Sequence, residues 1–202
     1  MKSIMKDTMI ITVITLIAGI LLGAVYMITK DPIARQEELA KQEACAEVFA
    51  EADSFESLGE TDPELQAYVS GECGYDAQVI DEVLAAKDAS GEVIGYVLNV
   101  TSGGGYGGDI SFAMGVSLDG TLNGISFLSI SETAGLGMNA DTDAFKGQFA
   151  GKQADEIVFT KTGASADNEI DALSGATVTT TCVTKGVNAG LAAVKYLEGG
   201  NS

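Results

Sequence analysis

The N-terminal part of the chain carries a long apolar run without charges. Between Met9 and Thr29 the residues are mainly Ile, Val, Leu, Ala, Met and Gly. In a helix, about 20 such residues span a hydrocarbon core of roughly 30 Å. The alternative is a signal peptide, but its apolar region usually has only about 7–15 residues and ends at a small-residue cleavage site. The pattern therefore predicts an uncleaved transmembrane anchor over residues 1–30.

A more polar pattern with helical spacing follows the anchor. Asp31-Pro32 is expected to interrupt the helix, because proline lacks the backbone N–H that a helix interior needs. Residues 33–50 then predict a second, polar helix. Residues 51–76 are acidic and contain Gly and Pro, which is typical of a loop with short elements. We therefore interpret residues 31–76 as a helical stalk followed by an acidic linker.

A β-rich region begins near Val79 and predicts a sheet. Asp119-Gly120, between two strand patterns, is typical of a tight hairpin turn. A last apolar pattern at helical spacing predicts a C-terminal helix that ends at Gly199-Gly200. Residues 77–202 are thus predicted to form an α+β domain, an antiparallel sheet with packed helices. The predicted strands cover 81–86, 93–100, 110–117, 122–130 and 157–159, and the predicted helices cover 141–149 and 177–197.

The charge of the chain excludes some partners. After residue 30 there are 28 acidic and 8 basic residues, a net charge of −20. Such a surface repels nucleic acid and anionic lipid, so no nucleic-acid function is expected. The charges around the apolar run do not decide its orientation, since Lys2 and Lys6 precede it and Lys30, Arg35 and Lys41 follow it.

The chain has three cysteines, Cys45, Cys73 and Cys182, and no histidine. None of the cysteines forms a C-x-x-C pair, so zinc and iron–sulfur sites within this chain are not expected. Without histidine a Ser-His-Asp or Cys-His unit cannot be built, and we predict no catalytic and no metal-binding residues. Cys45 and Cys73 can form a disulfide in an extracytoplasmic domain, but buried thiols are the favoured interpretation.

Two segments rich in small residues stand out at the ends of predicted strands. The glycine loop, Gly103–Gly108, has five glycines in six positions. It is either a flexible connection or a place where the backbone approaches a flat ligand closely. The Glu-Thr loop, Ser131–Met138, is either a polar connection or a site whose N–H groups and Thr133 hydroxyl bond a ligand. We expect both loops to open at one edge of the sheet, with Tyr106 and Leu136 in contact with the ligand.

A third segment, Ser174–Thr177, lies just before the C-terminal helix, and we call it the SGAT segment. A helix N-terminus leaves backbone N–H groups unpaired and carries partial positive charge, so it favours a phosphate. Ser174 is expected to be the N-cap, which would place Thr177 at position N3. Gly175 and Ala176 leave room for a bulky group. Taken alone, the segment is equally typical of an ordinary helix cap.

These segments together resemble a family of FMN-binding proteins. The SGAT segment with Asp171 before it resembles a flavinylation motif, whose Thr carries FMN through a phosphoester bond. Over nearly the whole chain, the order of anchor, stalk, Gly-Tyr-Gly-Gly, Glu-Thr-x-Gly-Leu-Gly and Ser-Gly-Ala-Thr-x-Thr is similar to the G subunit of the Rnf electron-transport complex. The C subunit of the Na⁺-pumping NADH:quinone reductase is related but usually longer. The family usually has Pro where Ala134 stands, so the loop here is less pre-organised.

The resemblance implies that FMN is covalently attached to Thr177, with Thr179, Thr180 and Thr181 as the fallback acceptors. A flavin transferase that uses FAD as donor is implied as a maturation partner. Asp171 is expected to serve either recognition by that enzyme or the structure of the loop. The residues implied to bind FMN are Ser174, Gly175, Ala176, Thr177, Thr179, Thr180, Glu132, Thr133, Gly135, Leu136, Gly137, Tyr106 and Gly107.

The resemblance also implies a role in a multi-subunit ion pump. Such a complex moves electrons between reduced ferredoxin and NAD⁺ and couples this to Na⁺ or H⁺ export. The chain would be its membrane-anchored electron-transfer subunit, without a complete active site of its own. The flavin domain is expected on the extracytoplasmic side of the cell membrane, with the other membrane and peripheral subunits as partners. The alternatives are an FMN-binding subunit of a NADH:quinone reductase or another extracytoplasmic flavoprotein, and a pilin-like structural protein without cofactor.

Overall fold

The structure, a computed structural model, describes residues 2–199 and begins with one long helix. This helix, α1, covers Lys2–Val48. The residues up to Ala40 and the residues from Lys41 onward form two separate compact units. By length and composition, α1 is apolar enough to cross a membrane, and its apolar window has no buried residues. This agrees with the predicted anchor.

The interruption expected at Asp31-Pro32 is wrong, because Pro32 lies inside α1. A proline in a helix interior costs about 3 kcal/mol relative to alanine. Here the residues after it, up to Val48, are rich in Ala and Glu, which are good helix formers. Because the fixed φ of proline suits a helix, the chain loses mainly the hydrogen bond to the carbonyl of Ile28. The predicted stalk is therefore a continuation of α1.

The domain after α1 is built on a six-stranded antiparallel sheet, which confirms the predicted α+β architecture. Its strands lie side by side in chain order. β4 and β5 are joined at Asp119-Gly120, where Gly120 has a φ of +81°, a value that favours glycine. The strands are β1 (Ser54–Glu60), β2 (Gln78–Lys87), β3 (Val93–Ser102), β4 (Ile110–Ser117), β5 (Thr121–Ser129) and β6 (Lys152–Gln153).

The segment over residues 51–76 is more ordered than the predicted linker. It contains β1, which pairs with β2 along its length and forms one edge of the sheet. It also contains the short helix α2 (Pro63–Ala67) and a π-helical turn over Tyr68–Glu72. Charged residues are common on edge strands, where they hinder pairing with other chains. The acidic composition of β1 is therefore consistent with its position at the edge.

The remaining short elements differ in detail from the prediction. The helix expected over 141–149 is a 3₁₀ turn (Gly137–Asp141) followed by α3 (Asp143–Lys146). The strand expected over 157–159 is β7 (Val158–Thr160), and it pairs in parallel with β8 (Glu169–Asp171), which was not predicted. The last element is α4 (Thr177–Gly199).

Helix α4 covers one face of the sheet and closes the larger core. Two of its glycines allow a close approach to the strands. A methyl group on Gly186 would lie 2.8 Å from Cζ of Phe112, and one on Gly190 would overlap Sδ of Met114. The buried Asn188 side chain also bonds both backbone groups of Ile157, at 2.8 and 2.9 Å. Apolar residues of this core include Ile80, Leu98, Val100, Phe112, Met114, Val183, Val187 and Val194.

The end of α1 packs on the opposite face of the sheet. Val48 and the following Phe49 are buried against small residues such as Ala113, with Gly115 directly beneath them. Glu47 is fixed at this face, because it accepts a 2.5 Å hydrogen bond from Ser126 and lies 3.0 Å from Nζ of Lys146. The Ser126 hydrogen bond is the main cause of the lowered pKa of Glu47. The sheet is thus covered by helices on both faces.

Candidate functional site

The SGAT segment forms a turn and the first residue of α4. Its Ala176 is the N-cap, since the Ala176 carbonyl accepts the first helical hydrogen bond, from the N–H of Thr180 at 3.0 Å. The expectation that Ser174 is the N-cap is therefore wrong, and Thr177 is at N1 rather than N3. The reason is a turn in which the N–H of Ala176 donates to Leu173 O and Gly175 takes a φ of +73°. This turn delays the helix by two residues.

The start of α4 leaves several backbone donors available. The N–H groups of Thr177, Val178 and Thr179 have no acceptor among the described residues. The Thr180 hydroxyl is not available to a ligand, because it is buried, donates a hydrogen bond to Ala176 O and accepts one from the N–H of Leu173. Three unpaired N–H groups at a helix N-terminus are suited to an anion.

A cleft of about 480 Å³ opens at this helix start. Its volume is within the range of roughly 300–1,000 Å³ that is typical of small-molecule sites. All three segments singled out in the sequence contribute to its walls. The lining residues are Tyr106, Glu132, Thr133, Leu136, Gly137, Gly175, Ala176, Thr177, Val178 and Thr179.

The sheet topology explains why the two loops meet. β3 and β4 are joined by the glycine loop, and β5 runs antiparallel to β4, so that Ser129 at the end of β5 pairs with Ser111 at the start of β4. The Glu-Thr loop therefore leaves the sheet beside the glycine loop. The carboxylate of Glu132 joins them, because its Oε1 accepts hydrogen bonds from the N–H groups of Tyr106 at 2.8 Å and Gly107 at 3.3 Å.

Glycines permit the close packing of these segments. A methyl group on Gly107 would overlap the carbonyl oxygen of Ser131. A methyl group on Gly137 would lie 2.6 Å from both Oε2 of Glu132 and Oγ1 of Thr179. Larger residues at these two positions would separate the walls of the cleft. The glycines here serve close approach more than loop flexibility.

Exposure differs strongly among the residues of the cleft. Glu132 and Thr179 are buried, with 9% and 1% of their surface exposed, whereas Thr177 is half-buried. The apolar side chains of Tyr106, Leu136 and Val178 are 76%, 44% and 49% exposed. A buried polar floor and an exposed apolar rim suit an amphipathic ligand with a flat ring.

Some predicted residues do not line the cleft. Gly107, Gly135 and Ser174 lie next to lining residues, and the hydroxyl of Thr180 is used within the SGAT turn. Asp171 is at the end of β8, where its Oδ1 accepts a 2.7 Å hydrogen bond from the N–H of Ala164. That bond supports a structural role in its loop. The sequence analysis did not include Val178, which lines the cleft. An apolar residue beside Thr177 at the exposed start of a helix was the feature that indicated it.

No disulfide joins Cys45 and Cys73 in the described part of the chain. Cys45 is buried as expected, whereas Cys73 is partly exposed. Cys182 is buried beneath the glycine loop, where its thiol contacts Ser102 O at 3.2 Å. Burial is the main cause that raises the pKa of this thiol. Among residues 2–199 no group of His, Cys, Asp and Glu side chains is arranged to hold a metal ion.

Two family models and several proteins match this sequence. The FMN-binding domain model matches residues 105–192, and the RnfG N-terminal region model matches residues 1–48. The chain is 35% identical over 200 residues to the G subunit of the proton-translocating ferredoxin:NAD(+) oxidoreductase complex of Clostridium ljungdahlii, a match that covers 98% of this chain and 96% of that protein. It is 33% identical over 190 residues to the G subunit of the Na(+)-translocating ferredoxin:NAD(+) oxidoreductase complex of Acetobacterium woodii, with 93% and 89% covered.

The fold is similar to two solved structures. NqrC of Shewanella oneidensis gives a TM-score of 0.51 at 18% identity, and the match covers 74% of this chain and 83% of that protein. The C subunit of the Na(+)-translocating NADH-quinone reductase of Parabacteroides distasonis gives 0.55 at 19% identity, with 82% and 94% covered. At this level of identity the likeness shows a shared fold.

Proposed function

Because this chain belongs to the G-subunit family of ion-translocating ferredoxin:NAD(+) oxidoreductase (Rnf) complexes, we propose that it passes electrons through FMN attached covalently to Thr177. Its family and its FMN-binding domain make it a flavoprotein electron-transfer subunit of an Rnf-type complex. The other subunits of that complex are its partners, and α1 is its candidate membrane anchor. Since the two relatives are named for different ions, the proposal does not specify the ion.

The main support for this proposal is the position of the Thr177 hydroxyl. It lies half-buried at N1 of α4, on the wall of the cleft, and beside three unpaired N–H groups. A phosphoester at this hydroxyl would keep its remaining phosphate oxygens within the field of the helix N-terminus, which favours negative charge. The same N–H groups can donate hydrogen bonds to those oxygens.

The rest of the cleft fits the remainder of FMN. Its polar floor contains the Glu132 carboxylate and the Thr179 hydroxyl, which can bond hydroxyl groups or ring N–H groups. Its rim presents the apolar surfaces of Tyr106, Leu136 and Val178, which can contact a flat ring. The ring brings the electron-carrying chemistry, and the protein determines its position and surroundings. We propose no complete active site within this chain, because the reactions with ferredoxin and with NAD⁺ belong to the whole complex.

Mass spectrometry of the protein purified from its native membrane tests the covalent bond. The expected intact mass exceeds that of the chain by FMN less one water, because the flavin phosphoryl group replaces the hydrogen of the Thr177 hydroxyl. With FAD as donor, the P–O–P bond of FAD breaks and AMP is the leaving group. Peptide mapping should place the added mass on the peptide that contains Thr177. An unmodified mass, or a modified peptide elsewhere, would contradict the proposal.

A flavin transferase that uses FAD as donor is proposed as a maturation partner, as the resemblance of the SGAT segment to a flavinylation motif implies. The Asp171 carboxylate is exposed and lies three residues before the SGAT segment. It accepts a hydrogen bond within its own loop. We propose that this ordered loop forms part of the surface that the transferase recognises.

The side of the membrane on which the domain lies can be tested with Cys73, a partly exposed thiol. If the domain is extracytoplasmic, a membrane-impermeant maleimide should label this residue in whole cells. Cys45 and Cys182 are buried and should stay unlabelled. Cys73→Ser is the control and should remove the signal. Labelling that appears only after the cells are broken would place the domain in the cytoplasm.

A further inference from the structure

We propose that Glu132 is a positioning residue that lowers the reduction potential of the flavin in the cleft and fixes the glycine loop beside it. This inference rests on the proposed function, since it requires FMN in the cleft. It concerns the two oxygens of one carboxylate, which face different surroundings. Oε1 bonds the glycine loop, and Oε2 faces the residues that line the cleft.

The first oxygen acts on the loop. Oε1 accepts hydrogen bonds from two successive backbone N–H groups, of Tyr106 and Gly107. These bonds hold the backbone from which the exposed Tyr106 side chain reaches the rim of the cleft. Hydrogen bonds to a charged group are stronger than neutral ones, so this one side chain anchors an otherwise glycine-rich segment.

The second oxygen is available to a ligand. Oε2 accepts no hydrogen bond from any described residue, although only 9% of the Glu132 surface is exposed. Oε2 and the hydroxyl oxygen of Thr179 both lie 2.6 Å from the position that a methyl group on Gly137 would take. Oε2 is not one of the fully buried atoms that lack a partner, so it is in contact with the open space of the cleft. A hydrogen-bond donor of the bound cofactor can satisfy this oxygen.

The charge of Glu132 then affects the electrons that the cofactor carries. Reduction places additional electron density on the flavin. A negative charge at the floor of the cleft repels that density, and burial weakens the screening that water would provide. Glu132 therefore disfavours the reduced form and makes the flavin a better electron donor.

Replacing Glu132 with glutamine separates the two roles. The glutamine side chain is not charged, but its amide oxygen can still accept from both loop N–H groups. In the full flavinylated chain, E132Q should raise the flavin midpoint potential by at least about 30 mV, which is tenfold in the equilibrium constant for two-electron reduction. Asp109→Asn is the matched control, because it removes the same charge from an exposed residue outside the cleft lining, and it should shift the potential by less than half as much.

Amide hydrogen exchange measures the role of Oε1. The N–H groups of Tyr106 and Gly107 should exchange at least tenfold faster in E132A than in the wild type, and close to the wild-type rate in E132Q. If E132Q does not fold, the midpoint potential is measured in E132A, which also lacks the charge and should show a rise of the same sign. E132D is a further variant. This variant keeps the charge on a shorter side chain, so the loop amides should exchange faster while the potential stays near the wild-type value.

The outcomes are distinct. Equal potentials in E132Q and the wild type would overturn the electrostatic role. Unchanged exchange at Tyr106 and Gly107 in E132A would overturn the positioning role, and a large shift of potential in E132D would overturn the assignment to charge. A wild-type protein without covalent flavin would instead contradict the proposed function.

Discussion

Replacing Thr177 with alanine is expected to abolish covalently bound flavin while leaving the protein folded. The Thr177 hydroxyl makes no hydrogen bond to a described residue, and alanine is a better helix former than threonine. The free energy of unfolding should therefore change by only about 0.5 kcal/mol. On a denaturing gel under ultraviolet light, the flavin fluorescence of the band should fall to background.

The matched control is Thr181→Ala, which makes the same chemical change one turn further along α4. The Thr181 hydroxyl donates to the carbonyl of Thr177 at 2.8 Å and does not line the cleft, so this variant should keep its fluorescence. Thr177→Ser retains a hydroxyl and tests whether the transferase accepts serine. Fluorescence that persists in Thr177→Ala would contradict the assignment. It would favour Thr179, the other threonine hydroxyl of α4 at the cleft.

Adding one methyl group at Gly115 is expected to destabilise the domain. An alanine Cβ there would overlap the carbonyl oxygen of Val48 and lie 3.3 Å from Cδ2 of Phe49. Because the obstacle is backbone, the end of α1 would have to move away from the sheet. Overpacking of this kind costs about 1–3 kcal/mol. Calorimetry of the full chain in detergent should show a Tm lower by roughly 2–4 °C for each kcal/mol lost.

Gly71→Ala provides the comparison for this variant. It adds the same methyl group in the π-helical turn, where nothing lies within 4 Å of the new atom. Its Tm should stay at or slightly above the wild-type value, because alanine restricts the unfolded chain more than glycine does. Equal Tm values for the two variants would mean that Val48 does not pack closely on Gly115.

The sequence predicts the central strands well, because they are short runs rich in apolar and β-branched residues, which is typical of strands that are buried on both faces. The prediction for residues 110–117 matches β4, and that for 93–100 ends only two residues before β3 does. β1 was missed because its charged residues resemble a linker, and this strand depends on pairing with β2. β8 was missed because it has only three residues and its partner β7 is separated from it along the chain.

The sequence predicts which segments form the candidate site, but not how these segments are arranged. The two loops were expected at one sheet edge, and the antiparallel order of β3, β4 and β5 brings them together there. The error at Ser174 came from a local preference for serine at N-caps, which the turn at Gly175 overrides. The link from Glu132 to the glycine loop had no signal in the sequence, because it joins residues 25 and 26 positions apart.

Pro32 sets a limit on how deeply α1 can lie in the bilayer. Because proline has no N–H, the carbonyl of Ile28 lacks its usual donor in the helix. In hydrocarbon such a carbonyl costs several kcal/mol, whereas at the headgroups water can bond it. We therefore expect the hydrocarbon boundary at or before Ile28, and the stretch from Met9 to that point is about 20 residues, close to the thickness of the core. A proline that leaves the helix intact is thus expected to set the depth to which α1 enters the lipid.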